Sequence, residues 1–158
     1  MNKGIAAASG DYCLFLNSGD WLLNSEILLS VSKLNLSEDI LYGELLFDFG
    51  NSTTKIGKLP DKLNIYYLFN GNIWHPATFI KTKLFQKFGP YNTTYKIAGD
   101  YDFFFNTIAI QKVSTHYVEF PISGYNTNGI SSDASNTKLI QQERSNIHKK
   151  YLQPGQIE

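Results

Sequence analysis

The sequence has one cysteine, no excess of either charge and no long apolar run. Because Cys13 is the only cysteine among 158 residues, no internal disulfide can form, which favours a reducing compartment. Lys and Arg total 14, as do Asp and Glu, so no basic field predicts binding to nucleic acid. No apolar run is long enough to span a bilayer, and the apolar start at Met1 ends at Ser9, too early for a secretory signal. These absences predict a soluble, cytoplasmic protein.

The length and the pattern of elements predict one α/β domain over residues 1–158. Strands and helices alternate in the first third of the chain, and the second half is irregular. We expect strands at 12–16, 39–47, 114–118 and 122–125, and a further strand that ends at residue 81. Gly43 is expected to form a bend or bulge, and Pro121 to separate the last two strands. We expect helices at 2–8, after Asn24, and at 61–69, 83–88, 101–110 and 137–150. Residues 50–57 are expected to form a hairpin tip or a mobile loop.

The most informative segment is the apolar run 12–16, which stops at the polar turn Asn17-Ser-Gly-Asp20. A short apolar run bounded by a turn is typical of a buried strand in a mostly parallel sheet. Open α/β sheets bind ligands at the carboxyl ends of their strands. A carboxylate there can hold a divalent cation, and the cation can hold a phosphate. Asp20 is therefore either a metal ligand or a turn residue that leads to the next helix.

Two later segments carry the same kind of polar group at the start of an element. His75-Pro76 precedes an expected strand, and Gly99-Asp-Tyr-Asp102 opens an expected helix. Asp100 is either a helix N-cap or a general base. His75 is either a satisfied loop residue or part of a site.

These segments, taken in their order along the chain, resemble segments of the family 2 glycosyltransferases of the GT-A fold. Residues 1–21 are similar to the middle of such enzymes, where a helix and Gly-Asp-Tyr lead into the strand before a metal-binding Asp-X-Asp-type motif. Residues 75–80 and 84–91 resemble the family's acceptor-side segment. Residues 99–103 resemble its Glu-Asp-Tyr-Asp-Leu base motif. Residues 124–132, with the helix that follows, resemble its C-terminal end. The resemblance covers nearly the whole chain. It implies a truncated GT-A-like mixed sheet flanked by helices.

The resemblance implies an inverting transfer of a sugar from a nucleotide-diphosphate donor to a glycan or lipid-linked acceptor, as in polysaccharide biosynthesis. Asp20 matches the last Asp of the family motif and is expected to bind Mn²⁺ or Mg²⁺, which neutralises the leaving pyrophosphate. Gly19 stands where many relatives carry a second Asp that contacts the donor ribose. Asn17 and Ser18 are candidates for donor contact, with turn formation as the alternative.

On the acceptor side, Asp100 matches the family's general base. His75 corresponds to a residue near the diphosphate and the acceptor, and Asp102 is a candidate for acceptor binding. The family's usual Glu before the base is Gly99 in this chain.

The family's nucleotide-binding half precedes the segment that residue 1 matches. We therefore expect these residues alone to build an incomplete donor site, with weak or absent nucleotide binding. The alternative function is a catalytically silent binding or assembly module derived from such an enzyme. An open sheet edge and an uncovered apolar face also predict a homo-oligomer, located in the cytoplasm or at the inner face of the membrane.

Overall fold

A computed structural model describes residues 1–127, 129 and 132–153. Its strands are β1 (Tyr12–Cys13), β2 (Trp21–Leu22), β3 (Ile40–Asp48), β4 (Thr54–Gly57), β5 (Thr78–Lys81) and β6 (Thr115–Asn126). Its α-helices are α1 (Asn2–Ala7), α2 (Ile27–Lys33), α3 (Ile65–Asn70), α4 (Thr82–Phe88), α5 (Gly99–Phe104) and α6 (Thr137–Tyr151). Short 3₁₀ turns occupy His75–Ala77 and Ala134–Asn136, and a π-helical segment, Phe105–Ile110, continues α5.

The strands form one mixed sheet in the order β1-β5-β3-β6-β2, with β4 paired to the end of β3. This confirms the expected mixed α/β sheet flanked by helices. The expectation of a mostly parallel sheet is wrong, because β3 and β6 are the one parallel pair among the described strands. Parallel pairing requires a long crossover, and here the chain between β3 and β6 supplies it with α3, α4 and α5.

Alternating residues of the central strand β3 point to two apolar cores. Ile40 and Tyr42 lie in the larger core, together with buried residues from α3, α4, α5, the π-helical segment and α6. Leu41 and Leu45 lie in a smaller core that α2 closes with Ile27. Ile5 of α1 also packs against this larger core, so five of the six α-helices lie on one face of the sheet, where the polar segments of interest also converge.

The first strand differs from its expected form. β1 spans only Tyr12–Cys13, lies at an edge of the sheet and pairs antiparallel to β5, so the expectation that residues 12–16 form a buried strand of a mostly parallel sheet is wrong. After Cys13 the chain leaves the ladder, and Phe15 packs edge-on against the Phe85 and Tyr91 rings instead. The edge position agrees with the open edge expected from the sequence. The homo-oligomer stays a prediction.

The pairing of β3 with β6 is irregular at one point. The register shifts on both sides of Glu44, which confirms a bulge next to Gly43. A Cβ atom at Gly43 would lie 2.6 Å from Cδ1 of Ile122, so the close approach of β6 requires glycine. Pro121 pairs with Glu44 at this bulge, where its missing N–H costs no regular ladder bond. The two expected strands on either side of Pro121 are therefore one continuous strand.

The helices begin and end close to their expected residues, with local shifts. The helix expected from residue 61 starts at Ile65, because the Asn64 side chain accepts a hydrogen bond from the Tyr67 backbone N–H and caps it there. The second half of the expected hairpin tip, 50–57, is strand β4. Part of the segment 124–132 lies outside the described residues. In the part of the chain described here, no helix has the length and apolarity to cross a membrane.

Candidate active site

One large cleft, of about 1230 Å³, brings together most of the residues singled out in the sequence. Asn17, Ser18, Gly19, Asp20, His75 and Asp100 all line it. Further walls come from residues 72–74, 91–93, 95–99 and 125–126 and from two residues of α6. The structure therefore unites segments that are 58 and 25 residues apart in the chain.

The turn that carries Asp20 is closed by hydrogen bonds between its two ends. The Asp20 backbone N–H donates to the Asn17 carbonyl at 3.0 Å, and the Asn17 N–H donates to Oδ2 of Asp20 at 2.9 Å. Gly19 lies between them with φ of +93°, a conformation that L side chains rarely adopt. The turn geometry thus accounts for glycine at position 19. A ribose contact from Gly19 could come only from its backbone.

His75 is held by the strands on either side of it. Thr78, in β5, donates its hydroxyl to the Trp74 carbonyl at 2.7 Å, and Ser123, in β6, donates its hydroxyl to the Pro76 carbonyl at 2.5 Å. Both hydroxyl-bearing residues are fully buried, so water does not compete for these bonds. The His75 turn is consequently fixed to the rigid centre of the sheet.

Hydrogen bonds run continuously from Asp20 to Asp100. Beyond the Asp20–Asn17 contact, Nδ2 of Asn17 lies 2.9 Å from Nε2 of His75. Nδ1 of His75 lies 3.0 Å from Oδ2 of Asp100. The other Asp100 oxygen, Oδ1, accepts from the Tyr101 backbone N–H at 2.7 Å. Asp100 is in the first turn of α5 rather than at its N-cap, which is Ala98.

The electrostatic setting of Asp20 favours a cation. Burial raises the pKa of the Asp20 carboxyl above its ordinary value, although the Asn17 backbone N–H, the neighbouring His75 and the Asn126 backbone N–H each act in the opposite direction. Burial without a compensating charge disfavours the carboxylate form. A cation placed next to Asp20 would add to the partial compensation that these three groups give.

Asp102 does not join this group. Its carboxylate is 5% exposed, and Nζ of Lys150 in α6 lies 3.2 Å from each of its oxygens. Asp102 is not among the described residues that line the cleft. Asp100 and Asp102 are two positions apart on a helix and so face different directions. A contact between Asp102 and an acceptor stays a prediction, and this location gives it no support.

Two residues of α6 near the site were not anticipated from the sequence. Both oxygens of Glu143 accept backbone hydrogen bonds at 2.7–3.1 Å, from Lys96, Ile97 and Ala98, the residues just before α5. Arg144 donates to the carbonyls of residues 68, 69 and 71 and lies over the Tyr101 ring, 4.2 Å from its centroid. The sequence offered one indication of this role. Glu143 lies four positions before the apolar Ile147 and therefore on the same, buried face of the helix.

The donor set around Asp20 suits one kind of metal. Within the described ranges, no cluster of three or more His, Cys, Asp or Glu side chains could hold an ion. A single carboxylate is too little for a zinc or calcium site made by protein alone. Mg²⁺, in contrast, is commonly held by one or two carboxylates together with substrate phosphates and water. Asp20 therefore fits a hard cation that arrives with a phosphorylated ligand.

The comparisons with known proteins point in one direction. No protein-family model matches the sequence. A PGL/p-HBAD biosynthesis glycosyltransferase of Mycobacterium tuberculosis (strain ATCC 25177 / H37Ra) is 30% identical over 132 residues, covering 82% of this chain and 50% of that protein. An uncharacterized glycosyltransferase of M. tuberculosis (strain ATCC 25618 / H37Rv) is 25% identical over 158 residues, covering 96% of this chain and 59% of that protein.

The fold leads to the same group of proteins. The crystal structure of S. aureus TarS 1-349 matches with a TM-score of 0.60 at 14% identity, over 99% of this chain and 53% of that one. The chain spans about half the length of the curated relatives it matches, 50% and 59% of the two above. By sequence and by fold, the chain belongs to the GT-A-like glycosyltransferases and corresponds to part of such a protein.

Proposed function

We propose that the chain carries the metal and acceptor side of an inverting glycosyl transfer from a nucleotide-diphosphate sugar to a hydroxyl group of a glycan or lipid-linked acceptor. The observation that carries the proposal is the hydrogen-bonded series Asp20–Asn17–His75–Asp100 in one cleft. This series supports the proposal because the carboxylates of Asp20, proposed for the cation, and Asp100, proposed as the base, line the same cleft.

In the proposed reaction, Asp100 takes the proton of the acceptor hydroxyl as the acceptor oxygen attacks the anomeric carbon of the donor sugar. The bond between that carbon and the diphosphate oxygen breaks on the opposite face, so the configuration is inverted. The electron pair of the broken bond leaves with the nucleoside diphosphate. Hydrogen bonds from the His75 ring and the Tyr101 N–H fix both Asp100 oxygens, so the base is oriented before the acceptor binds.

The leaving diphosphate needs neutralisation. Asp20 is the residue that would hold Mn²⁺ or Mg²⁺, and such an ion supplies Lewis-acid stabilisation of the charge on the leaving group. Lys3 and Lys96 line the same cleft and add positive charge for phosphate oxygens. These cations favour an anionic donor over a neutral one.

The wall beside His75 suits a sugar ring. Phe47 packs edge-on against Trp74, with ring centroids 5.2 Å apart, and against Tyr125, at 6.0 Å. All three residues line the cleft and are partly exposed. Partly exposed aromatic rings next to polar groups present the mixed apolar and polar surface that carbohydrates contact. This wall supports a glycan or glycolipid acceptor.

The proposal is tested by following nucleoside diphosphate release from a panel of nucleotide sugars, with Mn²⁺ or Mg²⁺ and candidate acceptors. Because these residues alone are expected to build an incomplete donor site, the chain is assayed joined to the nucleotide-binding half of a relative. In that form we expect acceptor-dependent release by the wild-type chain and its loss in Asp100→Asn. Equal release by both forms would contradict the proposal. Metal-dependent binding of a donor without any release would instead favour the alternative, a silent binding module.

A further inference from the structure

We infer that Asn17 is a positioning residue that holds His75 as the neutral tautomer protonated at Nδ1, so that the ring donates its single proton to Asp100. The assignment of the tautomer rests on geometry alone. Its consequence for catalysis rests on the function proposed above.

The contact at Nε2 determines which atom accepts. The atom of Asn17 that lies 2.9 Å from Nε2 of His75 is the amide nitrogen Nδ2. An amide NH₂ group donates and does not accept, so Nε2 must present its lone pair. A neutral imidazole with a free lone pair at Nε2 carries its proton at Nδ1.

The contact at the other ring nitrogen requires the same tautomer. Nδ1 of His75 lies 3.0 Å from Oδ2 of Asp100, and an ionised carboxylate only accepts hydrogen bonds. The side chains of His75 and Asp100 are 14% and 18% exposed, so water competes little for this contact, whereas the contact between Asn17 and Nε2 is exposed. The Asp100 contact thus places a proton on Nδ1, and the Asn17 contact is the one that leaves Nε2 without a proton.

The orientation of Asn17 comes from the turn that also orients Asp20. The Asn17 backbone N–H binds the Asp20 carboxylate, and the Asn17 carbonyl accepts from the Asp20 N–H. The side chain of the same residue then reaches His75. Asn17 is consequently the link between the carboxylate proposed for the metal and the carboxylate proposed for the base.

The chemical identity of residue 17 matters. A carboxylate at this position would accept a hydrogen bond from Nε2 and favour a second proton on the ring, whereas alanine would leave Nε2 to water. An amide that presents its NH₂ group to Nε2, as Asn17 does, donates to the ring lone pair and so favours the Nδ1–H tautomer. With its lone pair bound to Asn17, His75 is not available as the base, and proton acceptance is left to Asp100.

The tautomer can be read directly from long-range ¹H–¹⁵N spectra of the imidazole rings of the ¹⁵N-labelled chain at about pH 8, above the ordinary imidazole pKa of about 6.5. His75 should show a protonated Nδ1 and an unprotonated Nε2. His116 and His148, the other histidines of the sequence, serve as internal references. A His75 ring protonated mainly at Nε2 would overturn the inference without any variant.

The contribution of Asn17 is isolated by comparing Asp100→Ala with the double variant Asn17→Ala/Asp100→Ala. In Asp100→Ala, the Asn17 contact alone should keep the Nδ1–H form in the majority. In the double variant the ring should shift several-fold toward Nε2–H, the form that prevails for histidine in water. Equal tautomer ratios in the two variants would show that Asn17 does not hold the ring. Asn146→Ala, at an exposed position on α6, is the matched control and should leave His75 unchanged.

The catalytic consequence is measured separately in the transfer assay. Asn17→Ala should lower kcat by about 10-fold to 100-fold, as loss of a supporting hydrogen bond in an active site commonly does, with a smaller change in KM. An unchanged kcat in Asn17→Ala would overturn the positioning role and leave the proposed function standing. Absence of transfer by the wild-type chain would count against the proposed function, while the imidazole spectra would still decide the tautomer.

Discussion

His75 and Asp100 are 25 residues apart in the chain, yet Nδ1 of His75 lies 3.0 Å from Oδ2 of Asp100. His75 is on the turn before β5, and Asp100 is in the first turn of α5. The turn is fixed by Ser123 in β6, and the residues before α5 are fixed by Glu143 in α6. The distance between the ring and the carboxylate therefore depends on both the sheet and the C-terminal helix, and changes in either should be detectable at the site.

Replacing Asp100 by Asn should lower transfer about 100-fold to 10,000-fold, because an amide cannot take the acceptor proton. The loss should be in kcat more than in KM. Asp61→Asn is the matched control, since Asp61 is exposed and does not line the cleft. Similar rates for the two variants would contradict the assignment of Asp100 as the base.

Replacing Glu143 by Ala should lower the free energy of unfolding by about 3 kcal/mol, because one buried and two partly buried backbone N–H groups lose a charged acceptor. Burial by itself raises the pKa of Glu143, but the hydrogen bonds from the backbone N–H groups of Ala98, Lys96 and Ile97, helped by the nearby Lys96 charge, outweigh it, and the net pKa is lowered. Its contribution to stability is therefore present above the ordinary Glu pKa of about 4.3 and is lost as pH falls through the folded-state value.

Urea unfolding of the wild type and of Glu143→Gln checks the pH dependence. The difference in unfolding free energy should be largest near pH 7 and should shrink as pH is lowered to about 3. Glu119→Gln, at an exposed position of β6, should show little difference at any pH. A constant difference for Glu143→Gln across this range would show that the charge of Glu143 is not what stabilises the segment.

Replacing Asp102 by Asn should destabilise the protein by about 2 kcal/mol, because the buried group loses its charge-assisted contact with Lys150. Transfer kinetics at a temperature where the variant is folded should stay close to wild type, since Asp102 is not part of the described cleft lining. A raised KM for the acceptor with unchanged thermal stability would restore the sequence-based expectation that Asp102 binds the acceptor.

Replacing Gly124 by Ala should disturb the turn around Asp20. A Cβ atom at Gly124 would lie 2.2 Å from Cζ2 of Trp21, so the indole ring must move, and Trp21 directly follows Asp20. We expect a loss of about 1–3 kcal/mol, as for other overpacked contacts, and a change in tryptophan fluorescence. Gly10→Ala, where the nearest atom is 3.6 Å away, is the control and should change neither. An unaltered spectrum for Gly124→Ala would mean that Trp21 does not rest on β6.

The turn Asn17–Asp20 and the segments around His75 and Asp100 could be predicted from the sequence because each has a local signature. The turn needs glycine at φ of +93°, and the apolar run before it marks the start of the core. The sequence could not predict which of these segments contact each other in the folded chain. Strand β1 leaves the ladder after Cys13 because Phe15 packs against Phe85 and Tyr91, which are 70 and 76 residues further along the chain. Such long-range packing overrides local strand propensity.

The roles of Glu143 and Lys150 in α6 were not predicted from the sequence, for a related reason. Glu143 and Lys150 read as ordinary charged positions of a polar helix. Their importance comes from partners 48 or fewer residues earlier in the chain, the backbone of residues 96–98 and the Asp102 carboxylate. Whether a charged side chain is solvated or buried against a partner is decided by tertiary packing, which no local pattern records.

The central claim is that Asp20 and Asp100 belong to one site that holds a cation with a diphosphate. The most direct measurement is paramagnetic broadening of the ¹H–¹⁵N spectrum of the chain by Mn²⁺, with and without inorganic pyrophosphate. We expect selective broadening of Asn17, Asp20, His75 and Asp100, strengthened by pyrophosphate and lost in Asp20→Asn, with His116 little affected. Broadening centred elsewhere, or broadening of the same residues that persists in Asp20→Asn, would contradict the claim.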